Sequence, residues 1–254
     1  MTSPSQSAGT AAPASAGPVD PALIEDLVAA SRILAAEGIL DGYGHVSVRH
    51  PSHPERYLMS RSLAPALVGA DDILELDLDS NPVDGRGRTL FRERFIHGTI
   101  YRARPDVQAV VHSHSPTVIP FGITDVPLKP TFHMAAFLYA GVPVYEIREE
   151  SGFTNMLVDD NARGRALAAT LGDKPVALMR GHGNVVVGPT LPHAVFRAIY
   201  TEVNARQQTV AMAIAQGGPV KYLAPEEGDI ITNKKPGDIG RAWQLWKSKV
   251  MGPP

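Results

Sequence analysis

After residue 44 the apolar residues stop recurring at helical spacing and begin to alternate, and that change constrains the fold more than any other feature. Before it, Leu23, Leu27, Ala30 and Leu34 recur as on one helix face. Asp20-Pro21 is a start signal for that helix and Gly38 suits its end. After it, Val46 and Val48 alternate in GHVSVRH, and Tyr57-Leu58-Met59 and Ile73-Leu74-Glu75-Leu76 form short strand candidates between polar turns. Residues 81–88 read as a loop. A helix is predicted from Glu93 to about Arg104, ended by Pro105, and a strand from Val107 into His112. Further helices are predicted over 132–140, 161–171, 191–216 and 239–250, with strands at 142–147, 176–179 and 185–187. Helices alternating with several neighbouring short strands predict an α/β protein with a mixed or antiparallel sheet.

Composition narrows the chemistry. The chain has 254 residues, 44% of them hydrophobic, which is enough for a large core. A formal net charge of −2 argues against nucleic acid as a partner, and Lys234-Lys235 is too short a basic run to reverse that. No apolar run is long enough for a membrane-spanning helix. Residues 1–20 are rich in Ala, Ser, Pro and Gly without a signal-peptide pattern and read as a disordered tail, leaving 21–254 as a single folded domain in the cytoplasm. There is no cysteine, so a metal site must be built from His, Asp and Glu, and there are nine histidines.

Two segments gather those histidines. His112-Ser113-His114 follows the apolar run QAVV; on a strand, residues two apart share a face, so both imidazoles can reach one ion. Gly181-His182-Gly183 lies between two apolar strands, where the flanking glycines allow a tight turn and open access to the ring. Three protein ligands with open positions is the arrangement of a catalytic rather than a structural metal site. Glu93, at the start of its helix, is a further carboxylate that either completes the coordination shell or carries protons beside it.

The order Glu93, helix, strand ending in His112-Ser113-His114, then Gly181-His182-Gly183, with GHVSVRHP, RPDVQAVVHSHSP and RGHGNVVVG, resembles the class II aldolase/adducin family from about residue 22 to 225. The resemblance implies an α/β/α sandwich with a central, mainly antiparallel sheet. It also implies a homo-oligomer, commonly a tetramer, with active sites at subunit boundaries. It makes His112, His114 and His182 metal ligands and Glu93 the catalytic glutamate. One divalent ion per subunit is expected, zinc first, with manganese, iron or cobalt as alternatives.

The chain departs from the family's sugar-phosphate enzymes at three places. Ser47 survives in the first phosphate loop, but His45 replaces its Asn; Ser60-Arg61-Ser62 occupies the second; Phe91-Arg92 replaces the serines before Glu93. Arg61 and Arg92 suit a planar carboxylate, and Phe91, Phe132 and Met134 supply apolar surface. His133 stands where the family's aldolases carry a tyrosine proton donor, and Tyr222 lies in the segment that closes over a neighbour's site in family members. The pattern resembles the family's decarboxylase branch. The expected activity is metal-dependent decarboxylation of a hydroxylated aromatic or unsaturated carboxylic acid through a metal-stabilised enolate, in aromatic catabolism. In that reading Arg92 orients the scissile carboxylate, Arg61, Ser47 and Phe91 line the substrate, and His45 or His133 delivers the proton. The alternative is an aldolase on an unphosphorylated hydroxy-keto substrate or a sugar phosphate. Less favoured are an Fe(II) oxygenase on the same scaffold and a non-catalytic, adducin-like interaction domain.

Overall fold

A computed structural model describes residues 15–252. Within these residues one eight-stranded sheet carries helices on both faces. In chain order the elements are α1 (Pro21–Ala36), β1 (His45–Arg49), β2 (Arg56–Ser60), β3 (Ile73–Asp77), β4 (Pro82–Asp84), α2 (Phe95–Ala103), β5 (Ala109–Ser113), β6 (Val144–Tyr145), α3 (Ile147–Ser151), α4 (Asn161–Leu171), β7 (Val176–Met179), β8 (Gly183–Gly188), α5 (Leu191–Ala215), α6 (Pro225–Asp229) and α7 (Gly240–Met251). The strand order is β4-β3-β2-β1-β5-β8-β7-β6. Only the β6–β7 pair is parallel. The fold is therefore the expected α/β/α sandwich around a mainly antiparallel sheet.

Strand alternation sorts the side chains between two cores. Val46 and Val48 of β1 and Ala109 and Val111 of β5 face α1 and α5. Val110 of β5, Tyr57 and Met59 of β2 and Val185 and Val187 of β8 face α2 and α4. The same alternation sends His45, Ser47 and His112 to the α2 side. His45 pairs directly with His112 across the β1–β5 ladder.

Several predicted boundaries hold. Asp20 caps α1 through a bond from the Ala22 amide, and α4 has the expected limits. Others are corrected. The 81–88 stretch contains β4, a three-residue edge strand whose Pro82 is tolerated because the outer side of an edge needs no donor. Residues 132–140 do not form an α-helix; His133–Leu138 is a 3-10 helix. It is held between tertiary anchors, with the Thr131 amide bonded to Asn204 Oδ1 and Leu223 N–H to the Pro130 carbonyl. Glu93 lies in a 3-10 turn (Arg92–Arg94) that precedes α2 rather than in the α-helix itself. The 142–147 strand shrinks to β6, because Glu146 caps the Arg148 amide and starts α3. Most of the expected tail lies outside the described residues; within them, Ser15 Oγ and the Ala16 amide both donate to the Glu75 carboxylate.

Candidate metal centre

β5 delivers His112 and the residue just past its end is His114; the β7–β8 turn delivers His182, and the turn before α2 delivers Glu93. One ligand atom from each of the four lies within 4.8 Å of every other. Glu93 Oε2 stands 3.5 Å from His112 Nε2 and 3.4 Å from His182 Nε2, and His182 Nε2 stands 3.1 Å from His114 Nε2. The β5–β8 approach that permits this requires glycine at 183, where a Cβ would come within 2.0 Å of the Ser113 carbonyl oxygen. Gly44, at φ +82°, also lies against β5: a Cβ there would meet the His112 carbonyl oxygen at 2.9 Å.

Backbone groups orient the ligands. His112 Nδ1 lies 3.2 Å from the Asn184 carbonyl and His182 Nδ1 lies 3.0 Å from the Met156 carbonyl. A carbonyl only accepts, so in both rings Nδ1 carries the proton and Nε2 is left bare as a ligand atom. Met156 presents its carbonyl from a left-handed conformation (φ 66°) rare for a residue with a side chain. Glu93 Oε1 accepts from the Val158 amide at 2.9 Å, leaving Oε2 toward the imidazoles. Burial opposes charge on Glu93, and a positive charge facing its Oε2, on His112, His182 or a bound cation, lowers its pKa. Burial, reinforced by its two imidazole neighbours, pushes His114 down to about 4, so its ring is neutral near pH 7. His112 Nε2 is buried without a hydrogen-bond partner. A buried bare nitrogen facing two imidazoles and a carboxylate fits a divalent cation and is otherwise costly.

The other predicted residues separate into two groups. His45 and Phe91 are at the cluster, with ring centres 4.6 Å apart and His45 5.2 Å from His112. Ser47 is buried behind them, bonded to His97 and Tyr101. Arg92 points outward, two-thirds exposed, and pairs with Asp159 at 2.6 Å; Arg61 pairs with Asp72 at 2.6 Å. His133 is exposed, and the half-buried Tyr222 accepts from Gln208 Nε2 at 3.3 Å. None of these four touches the cluster among the described residues.

One neighbour was not anticipated. His97, outside the two histidine segments singled out in the sequence, is fully buried and bonded to both His45 and Ser47 at 2.6 Å. Its signal was its spacing: Glu93, His97 and Tyr101 recur every four residues and so share one side of α2 and its leading turn.

This combination of sandwich, histidine cluster and leading glutamate defines a class. The family model for the class II aldolase and adducin N-terminal domain matches residues 25–209, and the chain belongs to that family. It is 38% identical to decarboxylase tropJ of Talaromyces stipitatus, covering 89% of this chain and 93% of that protein. It is 33% identical to 3,4-dihydroxyphthalate decarboxylase of Arthrobacter keyseri, covering 78% and 82%. Among solved structures, L-fuculose 1-phosphate aldolase from Glaciozyma antarctica PI12 aligns with a TM-score of 0.70 at 26% identity, covering 90% of this chain and 86% of that one. Among the described residues no helix is long and apolar enough to cross a membrane.

Proposed function

We propose that the protein is a metal-dependent decarboxylase acting on a hydroxylated aromatic or unsaturated carboxylic acid. The observation that carries this reading is the cluster: three imidazoles and one carboxylate, with His112 Nε2 orphaned among them and Phe91 against His45 at the edge. The likeness to two decarboxylases favours CO2 over an aldehyde as the leaving fragment.

His112, His114 and His182 would hold the ion, with Glu93 as fourth or exchangeable ligand. A divalent cation there, zinc favoured over manganese, iron or cobalt, would supply a Lewis acid for two adjacent substrate oxygens. The reaction breaks the bond between the carboxylate and its carbon; the electron pair stays on that carbon, which takes a proton as CO2 leaves. Glu93 would shuttle that proton through Oε2, since Oε1 accepts from the Val158 amide. Phe91 gives the substrate ring an apolar wall. Arg92 would orient the carboxylate by exchanging Asp159 for it, with Arg61 and Ser47 shaping the outer and inner walls. His133 and Tyr222 are proposed to serve a neighbouring copy's cluster, with His133 or His45 delivering the proton. The proposal includes a homo-oligomer, a tetramer by family analogy, with sites at subunit boundaries, and residues 21–254 as its single domain. It also places the enzyme in the cytoplasm, in the breakdown of aromatic compounds.

The test is product analysis with catechol-type carboxylates and keto acids in the presence of each candidate metal. Release of CO2 is expected. Aldehyde without CO2 would instead make the protein an aldolase, and no product with any metal would leave the non-catalytic reading.

A further inference from the structure

A line of buried hydrogen bonds runs away from the cluster into the core. His45 Nδ1 lies 2.6 Å from His97 Nε2, His97 Nδ1 lies 2.6 Å from Ser47 Oγ, and Ser47 Oγ lies 2.8 Å from Tyr101 Oη. All four side chains are buried, Ser47 and His97 completely. Each link could in principle run in either direction, but the chain has one protonation pattern that strands no donor.

The far end decides it. Among the described residues Ser47 Oγ is the only acceptor for the Tyr101 hydroxyl; its other partner, the Val110 amide, can only donate to it. If Ser47 donated to Tyr101, the phenolic hydrogen would be buried with no acceptor, which is costly. Tyr101 therefore donates to Ser47. The single Ser47 proton then goes to His97 Nδ1, so His97 carries its proton on Nε2 and donates it to His45 Nδ1. His45 must then carry its own proton on Nε2. That nitrogen has no protein partner among the described residues, and its ring sits 5.2 Å from the ring of His112.

We infer that the sequence Tyr101 to Ser47 to His97 to His45 locks His45 as its Nε2–H tautomer, making it a neutral hydrogen-bond donor to a substrate oxygen and neither a general base nor a metal ligand. His97 is the positioning residue, acting through His45. Geometry alone fixes the tautomer; only the identity of the acceptor, a hydroxyl or carboxylate oxygen of the substrate, rests on the proposed function. Burial agrees with neutral rings: it pushes His97 down to about 3 and, with the neighbouring His97, lowers His45 as well. In this arrangement His45 hydrogen-bonds and orients the substrate; that takes it out of the two proton donors proposed above and leaves the proton that replaces CO2 to His133 or Glu93.

The test is the 15N spectrum of histidine-labelled protein, recorded metal-free and with zinc added, with the His45 signals assigned by His45→Gln. Wild type should show His45 protonated at Nε2 and bare at Nδ1. Tyr101→Phe, or Ser47→Ala should the first variant not fold, removes the source of the polarity and should produce a measurable Nδ1–H population at His45. Wild-type His45 protonated on Nδ1, an imidazolium near pH 7, or no change in either variant would overturn the inference. No substrate enters this measurement, so it stands or falls separately from the decarboxylase reading. Where activity is present, His97→Leu should raise KM about tenfold, the equivalent of one lost hydrogen bond. His97→Gln, whose amide can accept from Ser47 and donate to His45, should recover most of that loss.

Discussion

Glu93 Oε2 stands 3.5 Å from His112 Nε2, although the two residues come from different elements and Glu93 lies outside the helix that follows it. The carboxylate is anchored by its other oxygen on the Val158 amide, and the imidazole by its other nitrogen on the Asn184 carbonyl. Two groups so oriented are prepared for an ion or a proton between them.

Loss of one ligand should therefore empty the site without unfolding the protein. His114 and His182 are only half-buried, so His114→Gln and His182→Gln are expected to fold. Each should lose most of its bound metal by elemental analysis after dialysis. Full metal retention in both would remove the cluster from metal binding.

Glu93→Gln separates proton transfer from metal binding. The amide can still accept from the Val158 amide through its oxygen, so the turn should persist. Metal content should stay near that of wild type while kcat falls by about 10²–10⁴-fold, the usual contribution of a positioned acid–base group. A comparable loss of metal would instead make Glu93 an essential ligand.

The buried imidazoles predict acid sensitivity. His97 titrates near 6.5 when unfolded and is pushed down to about 3 in the folded chain. The unfolded state therefore binds more protons between these values, so stability falls as pH falls through that window and is fully present above it. Denaturant midpoints of metal-free protein should decline from about pH 6.5 downward. His97→Gln, which cannot titrate, should show a shallower decline.

Gly183→Ala tests the close approach of β8 to β5. A methyl group there would come within 2.0 Å of the Ser113 carbonyl oxygen, so the strands must move apart beside His112 and His182. A loss of roughly 1–3 kcal/mol in stability is expected, the range for overpacking a tight site. Thermal unfolding measures it, and weaker metal retention should accompany it.

The sequence by itself determined the elements whose signals are local: the Asp20-Pro21 helix start, the limits of α4, and the alternation that places His112 on one face of β5. It also determined which three histidines and which glutamate to consider, because ligand type and spacing within a strand or turn are short-range properties. It misread the three-residue β4 and the 3-10 segment at His133, where pairing at a sheet edge and anchoring to Asn204 override local propensity. Only the tertiary structure decided which side chains meet. Arg92 and Arg61, chemically suited to a carboxylate, pair instead with Asp159 and Asp72, carboxylates of this chain that the fold brings beside them. His97, unremarked in sequence, is bonded to His45 and Ser47 because α2 lies across β1. Spacing fixes the face on which a side chain lies; the packing of one element on another fixes its partner, and at this site the partner decides which nitrogen holds the proton.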